Sequence, residues 1–270
     1  MSEFMLKNGM KLYYEDIGSG KPAVFLHGWS GSHELYNVPV RSLKDNARCV
    51  IYDHRGHHGS KTANREPVTI ETLASDLNEL IMGLSLSEVT LVGWSMGAGV
   101  AMSYIRKYGC SALRYIVLCD MTPRLLNDDE WTLGMQGGKF RKENMDWDSG
   151  KDFLTLYKEF AVSASPTLAE LTEAELHHRI EQKMQNYDVN ILKQLAISMK
   201  SEDNRDVVGK ITVPLSYFYA VPGSIFSPGL AEWYSEQAAV PFSAVRFPDS
   251  SHKFISEHPD MFTAEIGKLL

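Results

Sequence analysis

Val89-Thr90-Leu91-Val92-Gly93-Trp94-Ser95-Met96-Gly97-Ala98-Gly99 decides how this chain is read. Val89–Val92 is a short apolar run of the kind that suits a strand buried on both faces. Residues from Met96 to Tyr108 read as a helix. Between them, Gly93-x-Ser95-x-Gly97 sets a serine on a tight strand-to-helix turn. Such a turn pushes the hydroxyl out beyond the sheet edge. A glycine two residues before and another two after let strand and helix approach that closely. Gly99 gives further clearance. Ser95 is therefore the candidate nucleophile.

The same rhythm extends on both sides. Upstream, residues 3–16 read as a hairpin about Asn8-Gly9, a two-residue turn signal. Ala23–Leu26 is a buried strand, 33–44 a helix, Arg48–Tyr52 a strand and Ile70–Leu84 a helix. Downstream, Leu113–Leu118 is another strand. Short apolar strands alternating with helices predict a mostly parallel sheet flanked by helices. The rhythm breaks after Asp120. Residues 123–210 hold no convincing strand and read as helices near 151–163, 171–185 and 188–199. The alternation resumes with Val213–Tyr219, a helix near 229–239, the run Ser243–Phe247 and a last helix from Pro259. The expected architecture is one α/β core, residues 1–122 and 211–270, with a helical cap, 123–210, inserted between two strands.

The bulk composition narrows the partners. The 270 residues carry a formal net charge of -7, which disfavours nucleic acid, because that partner needs a basic face. Three cysteines, Cys49, Cys110 and Cys119, contain no CxxC. Cys49 and Cys119 lie in apolar runs and read as buried thiols, which suits a reducing, cytosolic compartment. No signal peptide and no membrane-length apolar stretch is legible. A small-molecule substrate is the expected partner.

With these residues in view, the chain resembles the α/β-hydrolase family along nearly its whole length. His27-Gly28 matches the family's HG motif at the end of the first buried strand. Asp53-His54-Arg55-Gly56 resembles its DxRG loop; His58 stands where a further glycine is usual, and Ser60 then matches. The resemblance implies the α/β-hydrolase fold and no cofactor. It also implies an oxyanion hole made by the backbone N–H groups of Met96 and Trp29. Such preorganised donors are worth ~3 kcal/mol of barrier each. His54, His57 and His58 belong to the DxRG loop, so no metal is expected.

A serine hydroxyl needs a base. Among nine histidines, His252 follows the strand ending at Phe247, in the loop Pro248-Asp249-Ser250-Ser251-His252, with Glu257-His258-Pro259 beyond. This matches the family's histidine loop and terminal helix; His258 is the neighbouring competitor. The orienting carboxylate departs from the family's usual place, where Gly223 stands, with no carboxylate between Val207 and Leu230. Some relatives carry the acid one strand earlier, which corresponds here to Asp120. Asp249, or a histidine supported only by water, remains open.

The cap is expected to close an apolar pocket over the serine. Trp94, Trp131 and Met135 are the candidate pocket residues, with Phe140 and Trp147 as further cap contributors. The expected activity is cleavage of a carboxylic ester, lactone or thioester of a neutral, apolar molecule through an acyl-serine. Hydrolysis of a C–C bond beside a carbonyl, a perhydrolase side reaction, or a ligand-sensing receptor with a retained triad are the alternatives.

Overall fold

The buried strands sort their side chains onto two faces, as a sheet covered on both sides must. In the strand Lys21–Leu26, Val24 and Leu26 join one core cluster, while Ala23 and Phe25 join the other. The computed structural model describes residues 2–61, 67–136, 139–141 and 152–270. Its eight strands are β1 (Ser2–Met5), β2 (Lys11–Gly18), β3 (Lys21–Leu26), β4 (Ala47–Tyr52), β5 (Val89–Trp94), β6 (Leu113–Cys119), β7 (Leu215–Gly223) and β8 (Phe242–Ser251). They lie in the order β1-β2-β4-β3-β5-β6-β7-β8. β1 and β2 pair antiparallel with each other, and β2 with β4; every other pair is parallel. This is the expected α/β-hydrolase fold.

Helices α1 (Asn37–Leu43), α9 (Phe254–Glu257) and α10 (Pro259–Gly267) cover the face that carries Ala23 and Phe25. Helices α2 (Ile70–Gly83), α3 (Met96–Tyr108) and α8 (Leu230–Gln237) cover the other. Between β6 and β7 run α4 (Phe153–Ala164), α5 (Glu173–Met184), α6 (Val189–Ser201) and the short α7 (Arg205–Val208). The first three start where a side chain satisfies orphan backbone donors. Asp152 accepts from Thr155 N–H, Thr172 and Glu175 form a capping box, and Asp188 accepts from Asn190 and Ile191 N–H.

Three elements differ from the sequence expectation. The hairpin does not turn on two residues. Leu6 N–H bonds Met10 C=O at 2.8 Å, leaving Lys7-Asn8-Gly9 as the loop with Gly9 at φ 81°. That is the three-residue loop with a left-handed third position. The segment 33–44 opens with a single 3₁₀ turn, His33–Tyr36, before α1. β8 runs through Pro248 to Ser251, past the expected end at Phe247. A register shift opposite Val221/Pro222 leaves Asp249 out of the pairing at φ 49°, a bulge that absorbs the proline and carries the strand to the histidine loop.

Candidate active site

Ser95 sits between the end of β5 and the start of α3 with φ 54° and ψ -123°. For a residue with a Cβ this backbone costs about 1–3 kcal/mol. The surroundings hold it there: its N–H bonds Cys119 C=O at 2.9 Å, and its C=O accepts from Ala98 N–H at 2.8 Å. The start of α3 presses on β3 so closely that a Cβ on Gly97 would lie 2.2 Å from Leu26 C=O. Only glycine fits there.

The hydroxyl of Ser95 lies 2.9 Å from His252 Nε2, and His252 Nδ1 lies 2.7 Å from Asp120 Oδ2. A carboxylate only accepts, so Nδ1 carries the proton and Nε2 is free to accept from Ser95. Asp120 follows the last residue of β6 and is held at φ 42° by its N–H bond to Phe218 C=O at 2.7 Å. Its second oxygen accepts the Ser224 hydroxyl at 2.7 Å. Asp120 is fully buried. Asp249, the sequence alternative, is exposed in the β8 bulge. The histidine is fixed as well: its N–H bonds Gly223 C=O at 3.0 Å, and its C=O accepts the Trp94 indole at 2.9 Å. A Cβ on Gly223 would come within 2.8 Å of the Ser250 carbonyl and the Ser251 Cα. The position where the resemblance would put a carboxylate is therefore closed by the β7–β8 contact, and the carboxylate that meets His252 is that of Asp120, one residue past the end of β6.

Met96 is the first residue of α3, so its N–H belongs to the unpaired positive end of that helix. The backbone before Trp29 lies directly against Ser95: a Cβ on Gly28 would sit 3.1 Å from Ser95 Cβ. Buried histidines shape this loop. His27 Nδ1–H donates to Gly28 C=O at 2.8 Å, and its Nε2 accepts from His54 N–H at 3.0 Å. His57 Nδ1–H donates to Arg55 C=O at 2.8 Å, and its Nε2 accepts from Ser30 N–H at 3.3 Å. Burial pushes the His54 imidazole down to about 3 and that of His57 to about 4, so both are neutral near neutrality. Among the described residues no group of histidine, cysteine or carboxylate side chains is arranged to hold a metal.

The helices between β6 and β7 fasten the same loop, a link the sequence did not signal. The Tyr187 hydroxyl donates to Ser30 C=O at 2.7 Å, and the Tyr157 hydroxyl lies 2.8 Å from Ser30 Oγ. The Trp29 indole donates to Leu192 C=O at 2.9 Å. Ser30 itself is at φ 52°.

Two chambers meet at Ser95. The smaller, about 40 Å³, is walled by Met121, Leu125, Met135, Phe140, Ile225 and Phe226, with Lys200 also on its border. The larger, about 680 Å³, is bordered by Trp29, Trp94, Tyr157, Phe160 and His252. Trp94 borders the large chamber and Met135 the small one. Trp131, also expected at the pocket, borders neither. It lines a separate surface cleft with Trp233 and Arg205. Asp128 accepts from Glu130 and Trp131 N–H, a tight turn after which the indole packs edge-on to Trp233 at 5.2 Å. Trp147 lies outside the described residues. The expectation of an apolar pocket holds for the small chamber only: Arg179, Lys183 and Lys253 border the large one. Arg179 and Lys183 lie four apart on α5 and so share a helix face. Helical spacing could be read from the sequence, but not which face meets the chamber.

No described helix is long and apolar enough to cross a membrane. The chain is 35% identical over 121 residues to a non-heme chloroperoxidase from Kitasatospora aureofaciens, covering 44% of each. It is 26% identical to the AB hydrolase superfamily protein YisY of Bacillus subtilis, over 86% of this chain and 87% of that protein. Among solved structures, an esterase from Exiguobacterium antarcticum superimposes with a TM-score of 0.84 at 27% identity, covering 99% of this chain and 98% of that one. The model of the alpha/beta hydrolase family matches residues 23–265. With a serine on a strained strand-to-helix turn and the sheet order described above, the chain belongs to the alpha/beta hydrolase family.

Proposed function

We propose that this protein is a serine hydrolase that cleaves a carboxylic ester, or a related lactone or thioester, through an acyl-serine intermediate. The observation that carries the reading is the unbroken chain from Ser95 Oγ through both nitrogens of His252 to Asp120, at 2.9 and 2.7 Å. Ser95 attacks the carbonyl carbon while His252 Nε2 takes its proton. Asp120 keeps the Nδ1–H tautomer and stabilises the imidazolium. Negative charge on the carbonyl oxygen is met by the N–H groups of Met96 and Trp29. His252 then protonates the leaving alcohol. Water, deprotonated by the same nitrogen, releases the acid and restores Ser95.

The helices of residues 123–210 act as a cap in this reading, and they keep bulk water from the acyl-enzyme. The small chamber suits a group of a few carbon atoms. The likeness to the Exiguobacterium esterase supports ester chemistry. The three cysteines are free and buried, in keeping with a reducing, cytoplasmic setting.

The test is a panel of para-nitrophenyl esters, acetate to decanoate, against wild type and Ser95→Ala. Expected are hydrolysis that chelators leave unchanged, a preference for short chains, and loss of turnover in Ser95→Ala. Equal residual rates in the two proteins refute the assignment of Ser95.

A further inference from the structure

We infer that the large chamber is an anion-recognition subsite and that the substrate is a small ester with a short apolar end and a carboxylate at its far end. The inference rests on the ester-hydrolase reading above and names the substrate class for that site.

The charge arrangement points this way. Among the described lining residues of the large chamber, the cations Arg179, Lys183 and Lys253 face one carboxylate, Glu34. The whole chain is acidic, at -7, so a local excess of cations around one cavity runs against its average. None of the three is ion-paired to a described carboxylate. Glu257, the carboxylate that acts on Lys253, already accepts Ser251 N–H at 2.7 Å and the Ser251 hydroxyl at 2.6 Å.

The three cations come from two separate elements. Arg179 and Lys183 project from one face of α5, and Lys253, which follows His252 in the chain, borders the same chamber. Burial holds the Lys253 ammonium below its ordinary range, and the charges of Lys183 and Arg179 push it further the same way. Like charges brought together across a cavity repel, and a bound anion relieves that repulsion. Lys183 is positioned by the Tyr157 ring, 5.7 Å from its Nζ, and Tyr157 is the residue that reaches Ser30. The anion subsite and the oxyanion loop therefore share a wall. Ser95 borders both chambers, so a substrate spanning them places its ester at the hydroxyl, its short apolar end among Met135 and its neighbours, and its carboxylate among the cations.

Two matched pairs test this. Monomethyl adipate against methyl hexanoate puts the carboxylate on the acyl side; acetoxybenzoate (para) against phenyl acetate puts it on the leaving-group side. The expected result is a kcat/KM about tenfold or more higher for the anionic member of one pair, as charged hydrogen bonds allow. That preference falls to within about twofold in the Arg179→Gln/Lys183→Gln variant and in wild type at molar salt, where the Debye length is only ~3 Å. Arg179→Lys, which keeps the charge, retains most of it. The salt arm needs no variant to fold. If wild type cleaves the neutral members as well as the anionic ones in both pairs, the anion subsite is wrong while the ester-hydrolase reading stands. If wild type turns over none of these and no para-nitrophenyl ester, both fail together.

Discussion

Replacing Asp120 by asparagine tests the least expected part of the site, and the hydrogen bonds set what it does. Asp120 Oδ2 accepts His252 Nδ1–H, and Oδ1 accepts the Ser224 hydroxyl. Ser224 Oγ in turn accepts Phe226 N–H at 3.0 Å. An asparagine therefore keeps its carbonyl toward Ser224 and presents its NH₂ to Nδ1. Two donors cannot face each other, so the ring moves its proton to Nε2, which then no longer accepts from Ser95. Flipping the amide rescues the tautomer but sets its NH₂ against a hydroxyl that already receives one N–H and must turn its own proton elsewhere. The wrong tautomer in a serine triad has cost about 10⁴-fold in kcat, about 5 kcal/mol of barrier. The expected loss here is about 10³- to 10⁴-fold on para-nitrophenyl acetate, with the melting temperature within a few degrees of wild type because the shape is kept. Adding Ser224→Ala frees the amide to flip and should recover about tenfold. Asp249→Asn should stay within about twofold of wild type, because that side chain is exposed. Loss of less than about tenfold in Asp120→Asn refutes the assignment of the acid.

Moving the acid to the usual family position should fail: Asp120→Asn/Gly223→Asp gains no rate over Asp120→Asn and unfolds at lower denaturant, because a Cβ at 223 meets β8 backbone at 2.8 Å. Measurable rescue by that second change argues against the close β7–β8 contact. Tyr187→Phe removes the donor to Ser30 C=O and should lower kcat about three- to tenfold, because the loop beside Ser95 loses a fixed partner, even though Tyr187 also borders the large chamber; a pure KM effect refutes the coupling. Stability should fall on acidification. His54 and His57 have folded values of about 3 and about 4 against the ordinary 6.5, and His27 is also well below it. Below pH 6.5 the unfolded chain binds protons that the folded one refuses. Stability is therefore full above 6.5 and drops toward 4, by up to about 1.4 kcal/mol per pH unit for each histidine. Urea midpoints at pH 7.5, 6 and 5 read this directly, and a flat profile refutes neutral burial of the three rings.

Features dictated by local spacing and burial were legible in the chain before any fold was seen. Alternating short apolar strands and helices specified a doubly covered parallel sheet. Gly93-x-Ser95-x-Gly97 marked a turn where strand and helix must nearly touch, and the position of His252 after the last strand marked the candidate base. Each strand, helix or turn signal among these is local in the chain. Features that depend on which distant atoms meet were settled only by folding. Asp120 and His252 are 132 residues apart, and Asp120 could be separated from Asp249 only by which of them is buried beside the ring. Trp131 had the composition of a pocket residue, but a turn at Asp128 sent it to Trp233. Arg179 and Lys183 share a helix face by their spacing alone, but only the tertiary structure sets that exposed face at the rim of the large chamber. The same holds for Tyr157 and Tyr187, whose hydroxyls reach Ser30 only once the helices after β6 are folded back over the sheet. Periodicity states which residues share a face; it does not state what the face will meet, because packing is settled by the whole chain at once.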